Sequence, residues 1–242
     1  MRCCMVSNLL SDFLRLDTLP KRYELKFLLQ YITYEEVCSI IRENPALFSE
    51  IYQARQVNNI YLDSPSLKNY EDNLIGYSQR LKVRIRWYGS FFGTIHKPVL
   101  ELKIRTGQQM TKISYPLKPF QITPEFSFAL LKKEVFPHSK LPAFIIELLH
   151  SLVPVLFNSY RRRYFLSADK HYRLTLDTDL SYSKAKKHGS HFLTFIKDPD
   201  SLVLELKYAP EYHAFADLIT QHFPFRLTKN SKYVSGVSLL DF

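Results

Sequence analysis

Arginine and lysine recur at every second position in Arg80-Leu-Lys-Val-Arg-Ile-Arg-Trp-Tyr88. Successive side chains of a β-strand point to opposite faces, so Arg80, Lys82, Arg84 and Arg86 would share one face and Leu81, Val83, Ile85 and Trp87 the other. Four cations on one face repel each other, and bulk water or a polyanion must relieve that repulsion. A planar guanidinium fork meets phosphate oxygens in paired hydrogen bonds, which makes phosphate binding the chemistry this stretch points to. Taken alone, the stretch could equally be the solvated face of an amphipathic strand.

Other segments share the pattern. Glu24 and Lys26, Glu101 and Lys103, and Glu205 and Lys207 repeat one Glu-x-Lys unit, and in each the flanking residues are apolar. Closing about eight such strands with the charged face inward predicts a β-rich α+β fold, a closed antiparallel eight-stranded β-barrel with peripheral helices. Its lumen would be a tunnel of cations containing a few carboxylates. A linear polyphosphate threaded with a hard divalent ion fits such a lumen, with Mn²⁺ or Mg²⁺ held by acids such as Glu24, Glu101 and Glu205.

The elements that must position these residues follow from alternation and from turn chemistry. Strands are expected over 22–29, 56–63, 80–88, 99–105, 111–117, 155–165, 172–178 and 202–208. Thr33 should cap a helix from Tyr34 to about Glu43, with Glu35 and Glu36 in its first turn and Pro45 beyond its end. A short helix over 67–75 should stop at Gly76. The stretch 123–149 reads as helical, as do about 210–222 and a small apolar segment at the end of the chain. Lys184, Lys186 and Lys187 form a lysine-rich loop whose simplest role is to face solvent.

Composition bounds the rest. The 242 residues are 46% hydrophobic and 14% aromatic, as a folded chain is, and carry a formal charge of +10. That excess suggests nucleic acid, an anionic surface or a polyanionic small molecule as partner. With no GxxxxGK or GxGxxG and only six glycines, phosphate contacts must come from side chains. Three cysteines, two of them adjacent, build no disulfide framework and no metal-ligand spacing. No apolar run approaches the ~20 residues of a membrane span. The chain is therefore expected to be cytoplasmic, with residues 1–20 a mobile leader and 21–242 a single domain.

Arg22-Tyr-Glu-Leu-Lys26, Arg84-Ile-Arg-Trp-Tyr-Gly89, Leu100-Glu-Leu-Lys103, Tyr160-Arg-Arg162, Arg173-Leu-Thr-Leu-Asp-Thr178, Leu204-Glu-Leu-Lys207 and Lys229-Asn-Ser-Lys-Tyr-Val-Ser-Gly236 stand in this order. Together they resemble the VTC domain, the polyphosphate polymerase domain of the CYTH or triphosphate tunnel metalloenzyme superfamily. The resemblance implies phosphate ligands at Lys26, Arg84, Arg86, Lys103, Lys112, Arg162, Arg173, Lys229, Ser231 and Lys232, and a metal carboxylate at Glu205. Of these, Lys26, Arg84, Arg86, Lys103, Arg162, Arg173 and Lys232 would serve catalysis. Among Arg161, Arg162 and Arg163 it favours Arg162, whereas strand parity leaves the three open. The sequence also departs from the pattern, because hydrolytic members begin Glu-x-Glu-x-Lys and Arg22 stands where the first acid would be.

Three functions follow as expectations. The first is a polymerase that passes the terminal phosphoryl of a nucleoside triphosphate to a polyphosphate chain, a reaction that asks mainly for positioning and charge neutralisation. The second is a binding module for triphosphate or polyphosphate without turnover. The third is a metal-dependent triphosphatase, which must activate water and which Arg22 disfavours. Specific nucleic-acid binding is not expected, on the premise that aromatics do not interleave the basic face.

Overall fold

Strands whose apolar face is covered from outside have only the lumen left for their charged face, and this inversion organises the whole chain. In a computed structural model, residues 19–123, 125–185 and 194–241 are described. Residues 1–18 of the expected leader and Lys186 and Lys187 of the lysine-rich loop lie outside them.

In chain order the elements are β1 (Lys21–Leu29), α1 (Tyr34–Glu43), β2 (Ser49–Asp63), α2 (Lys68–Ile75), β3 (Gln79–Tyr88), β4 (Gly93–Ile95), β5 (Val99–Thr106), β6 (Gln109–Pro116) and β7 (Phe120–Ile122). Then come α3 (Phe128–Leu130), a π-turn (Leu131–Val135), α4 (Ala143–Ser151), β8 (Val153–Leu166), β9 (Arg173–Lys184), β10 (Ile196–Asp198) and β11 (Leu202–Tyr208). A 3₁₀ turn (Pro210–Phe215), α5 (Asp217–Thr220) and α6 (Lys232–Leu239) complete the order.

The main sheet runs β9-β11-β1-β6-β5-β3-β2-β8, and β8 pairs back onto β9, so eight antiparallel strands close into a ring as expected. β10 adds to β9 outside the ring, and β4 pairs with β7 in a separate ribbon. The ring is weakest between β1 and β6, which share only the pairs Lys21 with Thr111 and Arg22 with Met110. Part of that seam is taken up by the segment before α6. There the Thr228 amide donates to the Lys26 carbonyl at 2.8 Å, and the Leu28 amide donates to Thr228 Oγ1 at 3.0 Å.

Helices cover the apolar outer faces. Val83, Ile85 and Trp87 of β3 and Leu100 and Leu102 of β5 share one buried cluster with Leu131, Phe136, Ile145 and Leu149. Phe27 of β1, Leu174 and Leu176 of β9, and Leu204 and Leu206 of β11 pack with Val37, Cys38 and Ile41 of α1. Each such side chain contributes about 1.5–3 kcal/mol on burial, which fixes strand parity against the repulsion of the inward cations. α1 is capped as its sequence predicts: the Glu36 amide donates to Thr33 Oγ1, and the Thr33 amide donates to Glu36 Oε2 at 2.7 Å. α6 packs Tyr233 and Val237 against Tyr61, Leu156, Tyr160 and Tyr182 of the ring. Its approach needs Gly236, because a Cβ there would lie 2.5 Å from Tyr182 Cδ1 and 2.6 Å from Leu156 Cδ2.

The structure corrects several boundaries. β2 begins at Ser49 and not at Gln56, since its first residues are mostly exposed and shift register against β8, which removes the alternation. The helical reading of 123–149 reduces to α3, the π-turn and α4, with Pro137 and Pro142 between them. The segment 210–222 splits into the 3₁₀ turn and α5.

Candidate functional site: a cation-lined cavity

The shared parity of the charges becomes a single cavity of about 430 Å³ inside the ring. β1 contributes Arg22 and Lys26; β3 contributes Lys82, Arg84 and Arg86; β5 and β6 contribute Lys103 and Lys112. Arg162 comes from β8, Arg173 from β9, Glu205 and Lys207 from β11, and Ser231 and Lys232 from the start of α6. Cross-strand register brings them level, Lys26 opposite Glu205, Lys82 opposite Lys103, Arg84 opposite Glu101 and Arg162 opposite Asp177.

Four buried carboxylates neutralise part of this charge, and each is held by cations. Glu101 Oε2 accepts from Arg84 Nε at 2.8 Å and Nη2 at 2.6 Å, while Oε1 accepts from Lys112 at 2.9 Å. Asp177, wholly buried, is clamped by the Arg162 guanidinium and by Lys232. Glu205 lies 2.6 Å from Lys207, 3.5 Å from both Lys26 and Arg162, and 3.8 Å from Lys232. Glu24 pairs with Arg22 at 2.7 Å and Lys103 at 3.6 Å, and its Oε2 accepts no hydrogen bond among the described residues.

Burial alone would raise the pKa of these acids. At Glu205 the neighbouring Lys207, Lys26, Lys232 and Arg162 overcome burial and hold the carboxyl well below its usual range. Lys103, Lys207 and Lys26 do the same for Glu24. The lysines show the reverse conflict. Burial pushes Lys82 and Lys103 well below the ordinary lysine range, with Lys26 among the like charges adding to the effect. Lys232 goes the other way, because Asp177 and Glu205 outweigh its burial.

Eleven Lys and Arg side chains line the cavity, and four carboxylates (Glu24, Glu101, Asp177, Glu205) oppose them, which leaves a formal excess of seven positive charges. No core packing requires that excess, and a bound polyanion would neutralise it. Affinity for tripolyphosphate is therefore expected to fall steeply with added salt and to exceed that for monophosphate. Titrations at several salt concentrations check this, and equal affinity for the two anions would count against a multi-phosphate site.

Most residues singled out from sequence meet here: Lys26, Arg84, Arg86, Lys103, Lys112, Arg162, Arg173, Glu205, Ser231 and Lys232 all line the cavity. Lys229 does not; it is exposed and lies outside the lining. Glu101 is buried behind the lining, with both oxygens taken by cations, so its evident work is to orient Arg84 and Lys112. Of the arginine triple, Arg162 faces inward. Arg161 and Arg163 line a larger outer groove of about 1490 Å³ whose mixed charges, Glu50, Asp179 and Asp200 among them, suit no polyanion.

Sequence reasoning passed over Lys82, Lys207 and Asp177 as ligands or clamps, although their parity marked them as inward. It also misjudged the aromatics. Tyr160, Arg162 and Tyr164 alternate on the inner face of β8, and Tyr88 follows Arg86 on β3, so tyrosines do interleave the basic lining. Tyr160 and Tyr61 accept hydrogen bonds from Arg86 Nη2 at 2.9 Å and Arg84 Nη1 at 3.2 Å.

The family model of the VTC domain matches residues 21–241. The chain belongs to the VTC domain family. No curated protein matches it. Among solved structures the VTC chain is similar to a candidate adenylate cyclase from Bacillus halodurans, at 15% identity and a TM-score of 0.49, over 88% of this chain and 96% of that one. It is also similar to the PH1819 protein of Pyrococcus horikoshii, at 12% identity and a TM-score of 0.47, over 91% and 99% of the two chains. The RNA triphosphatase Pct1 of S. pombe aligns at 10% identity and a TM-score of 0.29, over 85% and 77%.

Proposed function

We propose that this VTC domain is a phosphotransferase of the polyphosphate polymerase type. It takes the terminal phosphoryl group of a nucleoside triphosphate and adds it to a polyphosphate chain held in the cavity. The observation that carries this reading is the excess of buried cations over carboxylates in one cavity. In the step, a terminal phosphate oxygen of the acceptor forms a bond to the γ-phosphorus, the bridging β–γ bond breaks, and the nucleoside diphosphate leaves with its electron pair. An acceptor oxygen that is already anionic needs no proton removed, so positioning and charge neutralisation suffice. Arg84, Arg86, Arg162 and Lys232 are preorganised for that work, each held by a hydrogen bond or ion pair with a neighbour.

A divalent ion fits these residues in a limited way. Among the described residues no three His, Cys, Asp or Glu side chains gather as a ready cage. Mg²⁺ is commonly held by one or two carboxylates together with substrate phosphates and water, and Glu205 with the unsatisfied Oε2 of Glu24 could supply those carboxylates. When bound, Mn²⁺ or Mg²⁺ would share the phosphoryl charge with the cations. Arg22, bound to Glu24 Oε1, ties up an oxygen that a hydrolytic metal site would use, which argues against activation of water.

The scarcity of free carboxylates favours a second reading, in which the domain holds polyphosphate without turnover. Incubation of the purified protein with ATP and Mn²⁺ separates the possibilities. Polyphosphate should accumulate; release of free phosphate alone would indicate a triphosphatase, and binding with neither product would indicate a holding module.

A further inference from the structure

The mouth of the cavity carries aromatics that an inorganic phosphate chain does not need. Tyr52, Tyr88 and Tyr164 all line it, and Tyr52 and Tyr88 are 52% and 49% exposed. Their rings gather around one guanidinium: Arg55 Cζ lies 4.8 Å from the Tyr52 centroid, 5.6 Å from Tyr164 and 5.8 Å from Tyr88. Tyr52 also meets Tyr164 edge to face, with centroids 5.8 Å apart.

Local backbone irregularity builds this group. Register between β2 and β8 shifts between Tyr52, opposite Tyr164, and Arg55, opposite Arg162. Three steps on β2 thus answer two on β8, and such a bulge re-aims side chains. Gln53 and Ala54 line only the outer groove, Tyr52 lines both that groove and the mouth of the cavity, and Arg55 lies over its ring.

The face of a tyrosine ring carries partial negative charge and repels phosphate, so three tyrosines are a poor choice for guiding an inorganic polyanion. They suit a flat, neutral heterocycle, which stacks on aromatic faces and on Arg. The planar Arg55 guanidinium already lies among the rings as such a guest would. We infer that Tyr52, Tyr88 and Tyr164 with Arg55 form a nucleobase site, which seats the base of a nucleoside triphosphate while its phosphates extend to Arg162, Arg86 and Arg84. The inference rests on the phosphate-binding reading of the cavity and adds the means by which a nucleotide donor would be told from inorganic triphosphate.

The test is a metal-free titration of the intact chain with ATP and, separately, with inorganic tripolyphosphate, for the wild type and for Tyr52→Ala, Tyr88→Ala and Tyr52→Phe. Each Tyr→Ala change should weaken ATP by roughly 5- to 150-fold, the range for one base stacked on one ring, and leave tripolyphosphate unchanged. Tyr52→Phe keeps the ring and should bind ATP like the wild type. Unaltered ATP affinity in the alanine variants, with tripolyphosphate bound normally, would overturn the base site alone. An equal loss of both ligands, or a loss in Tyr52→Phe matching that in Tyr52→Ala, would mean that the hydroxyls serve phosphate, and would overturn it too. Failure of the wild type to bind tripolyphosphate would remove the cavity reading and this inference together.

Discussion

Asp177→Ala is expected to destabilise the ligand-free protein by about 3–5 kcal/mol, the usual cost of leaving a buried charge without its partner. Asp177 has no exposed surface and holds two cations at once, Arg162 through a two-pronged pair and Lys232 through its ammonium group. In a protein of this size the loss should lower the melting temperature by roughly 10 °C. Asp177→Asn, which keeps the shape, should share most of the deficit, because the charge and not the volume is what matters.

Two features tie that loss to the cavity's function. The first is pH. Burial depresses the Lys232 pKa, but Asp177 and then Glu205 more than reverse this, so its folded pKa lies above the ordinary value. In the wild type the stabilisation from Lys232 is complete below the unfolded lysine pKa and is lost as pH rises through the higher folded one. Without Asp177 burial prevails, Lys232 sheds its proton earlier, and the variant's deficit should shrink as pH approaches the lysine range. The second is ligand rescue. A polyanion can neutralise Arg162 and Lys232 in place of the missing carboxylate, so tripolyphosphate should raise the melting temperature of Asp177→Ala more than that of the wild type. Thermal melts across pH, with and without tripolyphosphate, provide the check. A variant as stable as the wild type, or one stabilised less by ligand, would mean that Arg162 and Lys232 do not need neutralisation.

The ring was legible in the sequence because period-two alternation survives wherever one face is buried, as in β1, β3, β5 and β11. It failed where no face is buried. The start of β2 is mostly exposed and bulged, so Tyr52 and Arg55 carried no readable pattern, although Tyr52 lines the mouth and Arg55 lies over its ring. β4, β7 and β10 have three residues each, too few for alternation to register. The cations of the site were legible for the same reason as the strands. Their partners were not, because the meetings of Arg162 with Asp177 and of Lys82 with Ser231 depend on strand register and on the path of the segment before α6. Parity shows which way a side chain points, and only closure of the ring shows what it meets there.

Glu205→Gln and Arg86→Ala are expected to move triphosphate binding in opposite directions. Glu205 lies within 4 Å of four cations: Lys207, Lys26, Arg162 and Lys232. Its charge therefore competes directly with phosphate for those four. Replacing it with Gln keeps the volume and removes the competitor, so metal-free tripolyphosphate should bind at least as tightly as to the wild type. The same change removes the carboxylate proposed to share a hard divalent ion with substrate phosphates, so any metal-dependent turnover should collapse. Arg86 is in a different position. Its guanidinium donates to Asn59 Oδ1 at 3.0 Å and Tyr160 Oη at 2.9 Å, and it shares Glu101, 3.6 Å away, with Arg84 and Lys112, so it lines the cavity without a carboxylate of its own. Arg86→Ala should weaken every phosphorylated ligand by about 1.5–3 kcal/mol, the value of a charged hydrogen bond, or roughly 10- to 150-fold in affinity. Both variants would be titrated with tripolyphosphate in the presence and absence of Mn²⁺, after thermal melts confirm that each is folded. If Glu205→Gln loses metal-free binding as severely as Arg86→Ala does, Glu205 is a structural clamp that holds its four cations in place, and the metal assignment fails.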